Sequence, residues 1–340
     1  MKDKIFVTGS AGFIGFHLCN RLIRENYNVI GIDNLNSYYE VSLKESRNQI
    51  LNKISKKRAN KYSFYKGDIS DLKFIQNIFQ LEKPSIVINL AAQAGVRYSI
   101  ENPNSYAYSN LLGFLNILEC SRNFKISHLI YASSSSVYGG NQKLPFSEND
   151  FVDNPVSLYA ATKKSNELMA NSYSHLYGIP STGLRFFTVY GPWGRPDMAP
   201  MIFADSIIKR KPIKIFNYGN MKRDFTYIDD IVEAIYRCCK KPATKDLNFN
   251  NLNPDPSTSN SPHRIFNLGN SNTTELLKFI KILEEELGIE AIKEYLPMQP
   301  GDVEETAADT KAIKDWINFA PSTSLKTGIK CFAKWFLEYN

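Results

Sequence analysis

The segment Tyr159-Ala160-Ala161-Thr162-Lys163 puts a phenol and an ammonium on one face of a helix, one turn apart. A free tyrosine ionises near pH 10, too high for an efficient base at neutral pH. An ammonium beside it, with the positive ring of an oxidised nicotinamide, stabilises phenolate and lowers that value. Lys163 can also hold the nicotinamide ribose. Taken alone this spacing is common on surface helices. Here it follows a serine-rich run, Ala132-Ser133-Ser134-Ser135-Ser136-Val137-Tyr138-Gly139, directly after the apolar Leu129-Ile130-Tyr131. A serine at such a strand end can bond a reacting hydroxyl and relay its proton to Tyr159; consecutive serines also suit a plain turn.

The run Thr8-Gly9-Ser10-Ala11-Gly12-Phe13-Ile14-Gly15 supplies the second piece of chemistry. Gly9 permits a tight turn, Gly12 lets backbone approach a pyrophosphate, and Gly15 lets helix and strand pack closely. The helix start offers N–H groups, including those of Phe13 and Ile14, to the anion. Asp33 closes the next strand, where a carboxylate accepts the ribose hydroxyls of NAD and repels a 2′-phosphate. Asn34 follows it, at a position where arginine would suit NADP, so NAD is expected over NADP. Asp68, with Ile69 beside it, is placed to meet adenine. Ala91, Ala92 and Gln93 end a strand with small residues that let backbone run beside the cofactor, and Asn110 is assigned to the same set.

Elements that position these groups can be read from the patterning. Strands are expected at residues 5–8, 29–33, 62–67, 85–90, 128–133 and 181–186. Helices are expected at 12–25, 73–82, 103–123 and 157–177. This alternation predicts an α/β fold: a Rossmann-type, doubly wound parallel sheet with a smaller C-terminal α/β substrate-binding lobe. Residues 1–185 read as the NAD-binding domain, with a later segment near 228–268 returning to it, and 186–340 as mainly the substrate lobe. Within that lobe we expect a short helix, a hairpin-like piece at 213–226, and helices near 273–287 and 325–337. Residues 245–262, rich in Asn, Pro and Ser, read as an exposed loop.

Composition narrows the class. The 340 residues are 43% hydrophobic and 22% charged, as in globular proteins. There is no apolar run long enough to span a bilayer, and the start, Met1-Lys2-Asp3-Lys4, lacks a signal-peptide core. A cytoplasmic protein without membrane partners is expected. Five scattered cysteines read as reduced thiols, and neither they nor the four histidines have metal-ligand spacing, so no metal is expected. Much of the +7 net charge lies in residues 53–61. Aromatic residues do not interleave these charges, so a solvated face is favoured over a nucleic-acid patch, and no nucleic-acid partner is expected.

Together these residues resemble the extended short-chain dehydrogenase/reductases, specifically the nucleotide-sugar epimerases, from Lys4 to Phe336, with the greatest likeness to UDP-glucuronate 4-epimerases. The resemblance rests on the runs Asp33 to Tyr39, Gln93 to Ser99, Ser133 to Gly139, Leu184 to Met198 and Met298 to Val303. It implies Ser134, Tyr159 and Lys163 as a catalytic triad. It places Ser135, Ser136, Thr188 and Arg195 at a sugar carboxylate, and Arg223 at the diphosphate. Phe216, Asn217 and Tyr218 fall beside uracil, Asp302 near the uridine ribose, and Arg97 is assigned to the substrate. Gln299 departs from glucose-type epimerases, which carry arginine there. The related 4,6-dehydratases carry Asp-Glu where this chain has Ser135 and Ser136, so elimination would lack its proton donor. The activity implied is NAD-dependent 4-epimerisation of UDP-glucuronate and UDP-galacturonate through a 4-keto intermediate. Alternatives are epimerisation of UDP-glucose or UDP-N-acetylglucosamine, or a non-catalytic NAD-binding sensor. A homodimer through a four-helix bundle, built from residues 103–123 and 157–177, is implied as well.

Overall fold

Buried apolar runs set the frame. A computed structural model describes residues 3–58, 60–299 and 302–339; of the positions discussed above, Met1, Lys2, Ala59, Pro300, Gly301 and Asn340 lie outside it. The strands are β1 (Lys4–Thr8), β2 (Asn28–Asp33), β3 (Tyr62–Lys66), β4 (Ile86–Asn89), β5 (His128–Ser134), β6 (Ser181–Phe186), β7 (Thr188–Tyr190), β8 (Ile213–Ile215), β9 (Lys222–Tyr227), β10 (His263–Leu268), β11 (Thr273–Glu275) and β12 (Lys293–Tyr295). The helices are α1 (Phe13–Arg24), α2 (Val41–Ser55), α3 (Leu72–Glu82), α4 (Tyr98–Glu101), α5 (Pro103–Tyr106), α6 (Gly113–Asn123), α7 (Leu158–Tyr177), α8 (Ala199–Ile208), α9 (Ile228–Lys240), α10 (Leu276–Leu287), α11 (Lys311–Ile317) and α12 (Leu325–Tyr339).

Seven strands form one sheet in the order β10-β6-β5-β4-β1-β2-β3, with every pairing parallel. Parallel strands covered on both faces must be apolar at successive positions, and β1 shows why. Its Ile5 and Val7 enter one core while Phe6 enters the other, on the opposite face. Strand order reverses between β1 and β4, and the crevice at their carboxyl ends is where such sheets bind ligands. The helix α7 starts cleanly because the Ser157 hydroxyl accepts the Ala160 N–H, and it ends at Gly178 with φ +67°.

Beyond β6 the chain builds a smaller layer of β11-β9-β7 and the parallel pair β12-β8. Between β9 and β11 the chain returns to the large sheet, where β10 forms its edge. The expected hairpin at 213–226 is not one. The strand β8 pairs with β12, β9 pairs with β7 and β11, and a 3-10 turn at Phe216–Gly219 separates them. The helix expected near 273 starts at Leu276, because residues 273–275 pair with β9. The helix expected at 103–123 runs as α5, a π-helical turn at Ala107–Leu112, and α6. The helix α2 was not expected from patterning, since its apolar face is thin. The basic residues after it are partly tied back: Arg58 donates to the Arg24 carbonyl and the Lys61 N–H to Asn28. No described helix is long and apolar enough to cross a membrane.

Candidate active site

Strand β1 delivers the chain into the glycine turn. Gly9 has φ +68°, and a Cβ there would lie 2.9 Å from the Ala91 nitrogen. A Cβ on Gly15 would lie 2.0 Å from the Gly9 carbonyl oxygen. The N-terminus of α1, at Gly12, has no side-chain cap, so its first N–H groups are free to serve an anion. Gly9, Gly12, Phe13, Ile14 and Gly15 line a cavity of about 350 Å³ that continues past β2 and β4 to the end of β5.

Asp33 stands at the glycine-turn end of the cavity. Its Oδ2 accepts the Ala11 N–H at 3.1 Å and its Oδ1 the Leu35 N–H at 2.9 Å. Burial pushes its carboxyl up from the usual range, against the pull of those bonds and of Lys44 and Arg47. A carboxylate has roughly four acceptor positions, so two remain for ribose hydroxyls. Asn34 donates to Asp68 at 2.7 Å. Burial works against the Asp68 charge, but bonds from Ser70 and Asn34 prevail and hold its pKa down. Ile69, Ala91, Ala92 and Gln93 line the same cavity. Asn110 does not. It sits behind the wall, in the π-helical turn, accepting from the Gln93 N–H at 2.8 Å and donating to the Gln93 carbonyl at 3.0 Å. It therefore shapes the end of β4 from behind. This set fits NAD: a turn that excludes side chains, a helix start for the diphosphate, and a carboxylate for the ribose.

Ser134, Tyr159, Lys163 and Arg195 line the other end. Burial raises the Tyr159 phenol, while a hydrogen bond with Ser134 and the Arg195 charge work the other way. The expected lowering by Lys163 is not what this geometry shows. The Lys163 ammonium donates to the Ala132 carbonyl at 2.9 Å, and burial brings its own pKa down to about 8, with Glu167 opposing. Ser134 donates to Ser136 at 3.1 Å and accepts the Ser136 N–H. Ser135, Ser136 and Thr188 flank the cavity wall in sequence without being part of it, whereas Phe187 and Val189 are in it.

A buried ion pair underlies this end. Arg185 on β6 meets Glu167 on α7 through two bonds, at 2.8 and 2.9 Å. Glu167 accepts the Ser133 hydroxyl at 2.6 Å, and Arg185 donates to the Tyr138 hydroxyl at 3.0 Å. Tyr138 in turn donates to Asn267 on β10. Tyr159, Lys163 and Glu167 stand at successive helical turns, so α7 carries both the chemical groups and their anchor. This pair was not singled out from sequence; the third member of an i, i+4, i+8 series was the available signal.

Arg195 is held by Asp197, with Nε at 3.0 Å from Oδ1, and Tyr38 donates to Asp197 at 3.1 Å. Burial opposes the Arg195 charge, but Asp197 overcomes it and holds the guanidinium firmly protonated. Burial and Asp197 push the Tyr38 phenol up to about 12. Asp197 and Tyr38 belonged to runs already noted, but a run of letters does not reveal that one holds the other.

The residues expected at the nucleotide end form a second cluster. Arg97 donates to Asp302 at 2.7 Å and lies 4.8 Å over the Phe216 ring. Asn217 and Tyr218 both have left-handed backbone, with φ +50° and +51°, and Tyr218 is exposed. Arg223 donates to the carbonyls of Val303 and Glu304, so it ties residues 303–304 to β9.

The sequence pattern of the family described as GDP-mannose 4,6 dehydratase matches residues 6–332. Protein CapI of Staphylococcus aureus is 53% identical over 336 residues, covering 99% of each chain. A probable UDP-glucuronate 4-epimerase of Rhizobium meliloti is 45% identical over 337 residues, covering 98% of this chain and 96% of its own. Among solved structures, a UDP-glucuronic acid 4-epimerase from Bacillus cereus, in complex with UDP-glucuronic acid and NAD, superposes with a TM-score of 0.85. It is 31% identical, over 99% of this chain and 100% of that one.

Proposed function

The chain belongs to the GDP-mannose 4,6-dehydratase family, and within it we propose an NAD-dependent 4-epimerase that interconverts UDP-glucuronate and UDP-galacturonate. The observation that carries this reading is one continuous cavity. It has a dinucleotide turn and Asp33 at one end, and Ser134, Tyr159, Lys163 and Arg195 at the other. The likeness to proteins named for this reaction supports the same substrate class.

Tyr159, directly or through Ser134, takes the proton of the sugar 4-hydroxyl and later returns one to the 4-ketone. Lys163 holds the nicotinamide ribose, and Arg195 keeps positive charge near the phenol. Held by the glycine turn, Asp33 and Lys163, bound NAD would supply reversible hydride acceptance at C4 with no net change in the cofactor. The 4-keto sugar is a β-keto acid and can lose carbon dioxide. Hydroxyls of Ser135, Ser136 and Thr188, with the Arg195 guanidinium, keep the carboxylate out of the geometry that favours this loss. Arg97, Phe216, Asn217, Tyr218, Arg223 and Asp302 anchor the UDP end, so the sugar can turn while the nucleotide stays. Ser135 and Ser136 carry no carboxylate, which disfavours the dehydration for which the family is named.

We assign residues 1–185 to the NAD-binding domain, rejoined near 228–268, and 186–340 mainly to the substrate lobe. We also infer a cytoplasmic homodimer. Ile100, Tyr108, Leu112, Leu168 and Leu176 are exposed apolar residues on the helices from α4 to α7, as a bundle between two copies requires.

A second reading, epimerisation of a neutral UDP-hexose or UDP-N-acetylhexosamine, draws on the Arg195–Asp197 pair, because that pair already matches the arginine's charge. Incubation with UDP-glucuronate, UDP-glucose or UDP-N-acetylglucosamine, followed by NMR of the anomeric protons, decides. The uronate is expected to turn over, and Tyr159→Phe to slow that about 10²–10⁴-fold with NAD still bound. Turnover of the acetylated sugar alone overturns the proposal.

A further inference from the structure

Arg47, on α2, is buried, yet its guanidinium goes to backbone carbonyls and a phenol and makes no described ion pair. Nη1 donates to the Ala11 carbonyl at 2.8 Å and to the Tyr39 hydroxyl at 2.9 Å. Nη2 donates to the Trp193 carbonyl at 2.6 Å and to the Gly194 carbonyl at 3.1 Å. Nε is buried without a partner. A buried cation is costly where apolar packing would do, so four donated bonds at one side chain point to a purpose beyond filling space.

Its partners belong to two separate parts of the site. Ala11 lies within the glycine turn, and its N–H already goes to Asp33. With Asp33 on the N–H and Arg47 on the carbonyl, the peptides on both sides of Ala11 are fixed in orientation. These lead into Gly12 and the start of α1, where the diphosphate would sit. Trp193 and Gly194 immediately precede Arg195. Trp193 has φ +60°, a backbone region that a bulky residue enters only when its surroundings force it. The surroundings here are the Arg47 fork on its carbonyl, the Phe16 ring 5.5 Å from its own, and the Trp335 and Tyr339 rings of α12 at 5.4 and 4.9 Å. Next door, His17 bonds the Pro192 carbonyl at 2.8 Å. The loop bearing Arg195 is thus laid directly on the dinucleotide turn and on α1.

We propose that Arg47 is a positioning residue that registers the Arg195 loop against the glycine turn. One guanidinium then sets both cofactor retention and the placement of the arginine that meets the substrate's charge. The cofactor half stands on geometry alone; the substrate half rests on the uronate reading above. If Arg195 shifts, the carboxylate of the 4-keto intermediate is freed to rotate. The C5–C6 bond can then break, carbon dioxide leaves, and the electron pair enters the enolate of the 4-ketone, which takes a proton at C5.

Arg47→Lys and Arg47→Met test this. Lysine keeps a buried charge but cannot fork to four acceptors; methionine keeps much of the bulk and removes every donor. Three quantities are read: the Kd for NAD of the apoprotein by tryptophan fluorescence, the ratio of decarboxylated product (UDP-4-ketopentose, with any UDP-pentose formed when the hydride returns to its C4) to epimer formed from UDP-glucuronate, and the melting temperature. Both variants are expected to weaken NAD about tenfold and raise the decarboxylated fraction about tenfold, a change of ~1.4 kcal/mol in each. The lysine variant carries the test where the methionine variant fails to fold. A folded variant with a lower melting temperature but unchanged Kd and product ratio overturns the proposal, since a mere brace would behave so. If the native enzyme ignores UDP-glucuronate, the functional reading fails, while the NAD Kd still tests Arg47.

Discussion

Replacing Glu148 by glutamine should change how stability depends on pH. Glu148 is buried, its Oε1 accepts the Asn267 N–H at 2.7 Å, and burial is the main force raising its pKa from near 4.5 to about 7. An acid whose folded pKa is raised favours the folded state while it stays protonated. Its contribution is fully present below about pH 4.5 and is lost as pH rises through 7. The shift of roughly two and a half units at 1.36 kcal/mol each makes the loss about 3 kcal/mol. Glutamine can still accept the Asn267 N–H and never ionises. Urea unfolding of both proteins at pH 5 and pH 8 reads the effect. The stability of Glu148→Gln relative to the native chain should rise by about 2.5 kcal/mol between those pH values, since a part of the contribution is already lost at pH 5. The comparison must be between the two proteins, because carboxylates such as Glu167 and Asp197, whose pKa values are lowered, tilt the native profile the other way. Parallel profiles would refute the argument, by showing that Glu148 is either ionised or solvated in the folded state.

Other outcomes follow from the geometry. Gly15→Ala forces a Cβ to within 2.0 Å of the Gly9 carbonyl, so it should cost about 1–3 kcal/mol in denaturant unfolding and weaken NAD binding in a fluorescence titration. Arg185→Met strands the Glu167 charge in the core and should cost about 3–5 kcal/mol by chemical denaturation, much of it recovered by adding Glu167→Leu. Leu168→Glu with Tyr108→Glu should halve the mass seen by light scattering, since both exposed side chains would face a second copy in the inferred bundle.

The large sheet was legible because its strands are buried on both faces and read as unbroken apolar runs, as in β1, β4 and β5. The smaller lobe was less so. Its strands β7, β8, β11 and β12 are three residues each, too short to show a period, and their partners lie far away in sequence. For that reason residues 213–226 looked like a hairpin. At the candidate site, Gly9, Gly12, Gly15 and Asp33 could be placed because each answers to a local constraint: a positive φ, a close approach or a strand end. Asn110 answers to no such constraint. It faces the Gln93 backbone, a contact that depends on how the π-helical turn sets its side chain. Arg47 and Asp197 escaped attention for a related reason, since their partners are backbone carbonyls or a charge already assigned elsewhere.

The Arg195 guanidinium is drawn to more than one anion, and this balance ties the phenol's chemistry to the sugar's. Burial makes the Tyr159 phenolate costly, and Arg195 is the cation that lowers the cost in this geometry. Asp197 draws on the same charge through two bonds and is itself steadied by Tyr38, from the segment that follows Asp33. Unmatched, Arg195 would pull strongly on any anion in the cavity and would resist letting a sugar turn. With Asp197 in place, part of the arginine's charge is already matched, so on the proposed assignment the net gain on binding a substrate carboxylate is small relative to the gross attraction. A modest net attraction suits an epimerase, whose sugar must be held by its charged group in two opposite orientations without being trapped in either. On the same proposal, the cluster of Arg97, Arg223 and Asp302, with Phe216 beside Arg97, is then left to hold the nucleotide and supply the affinity that survives the turn.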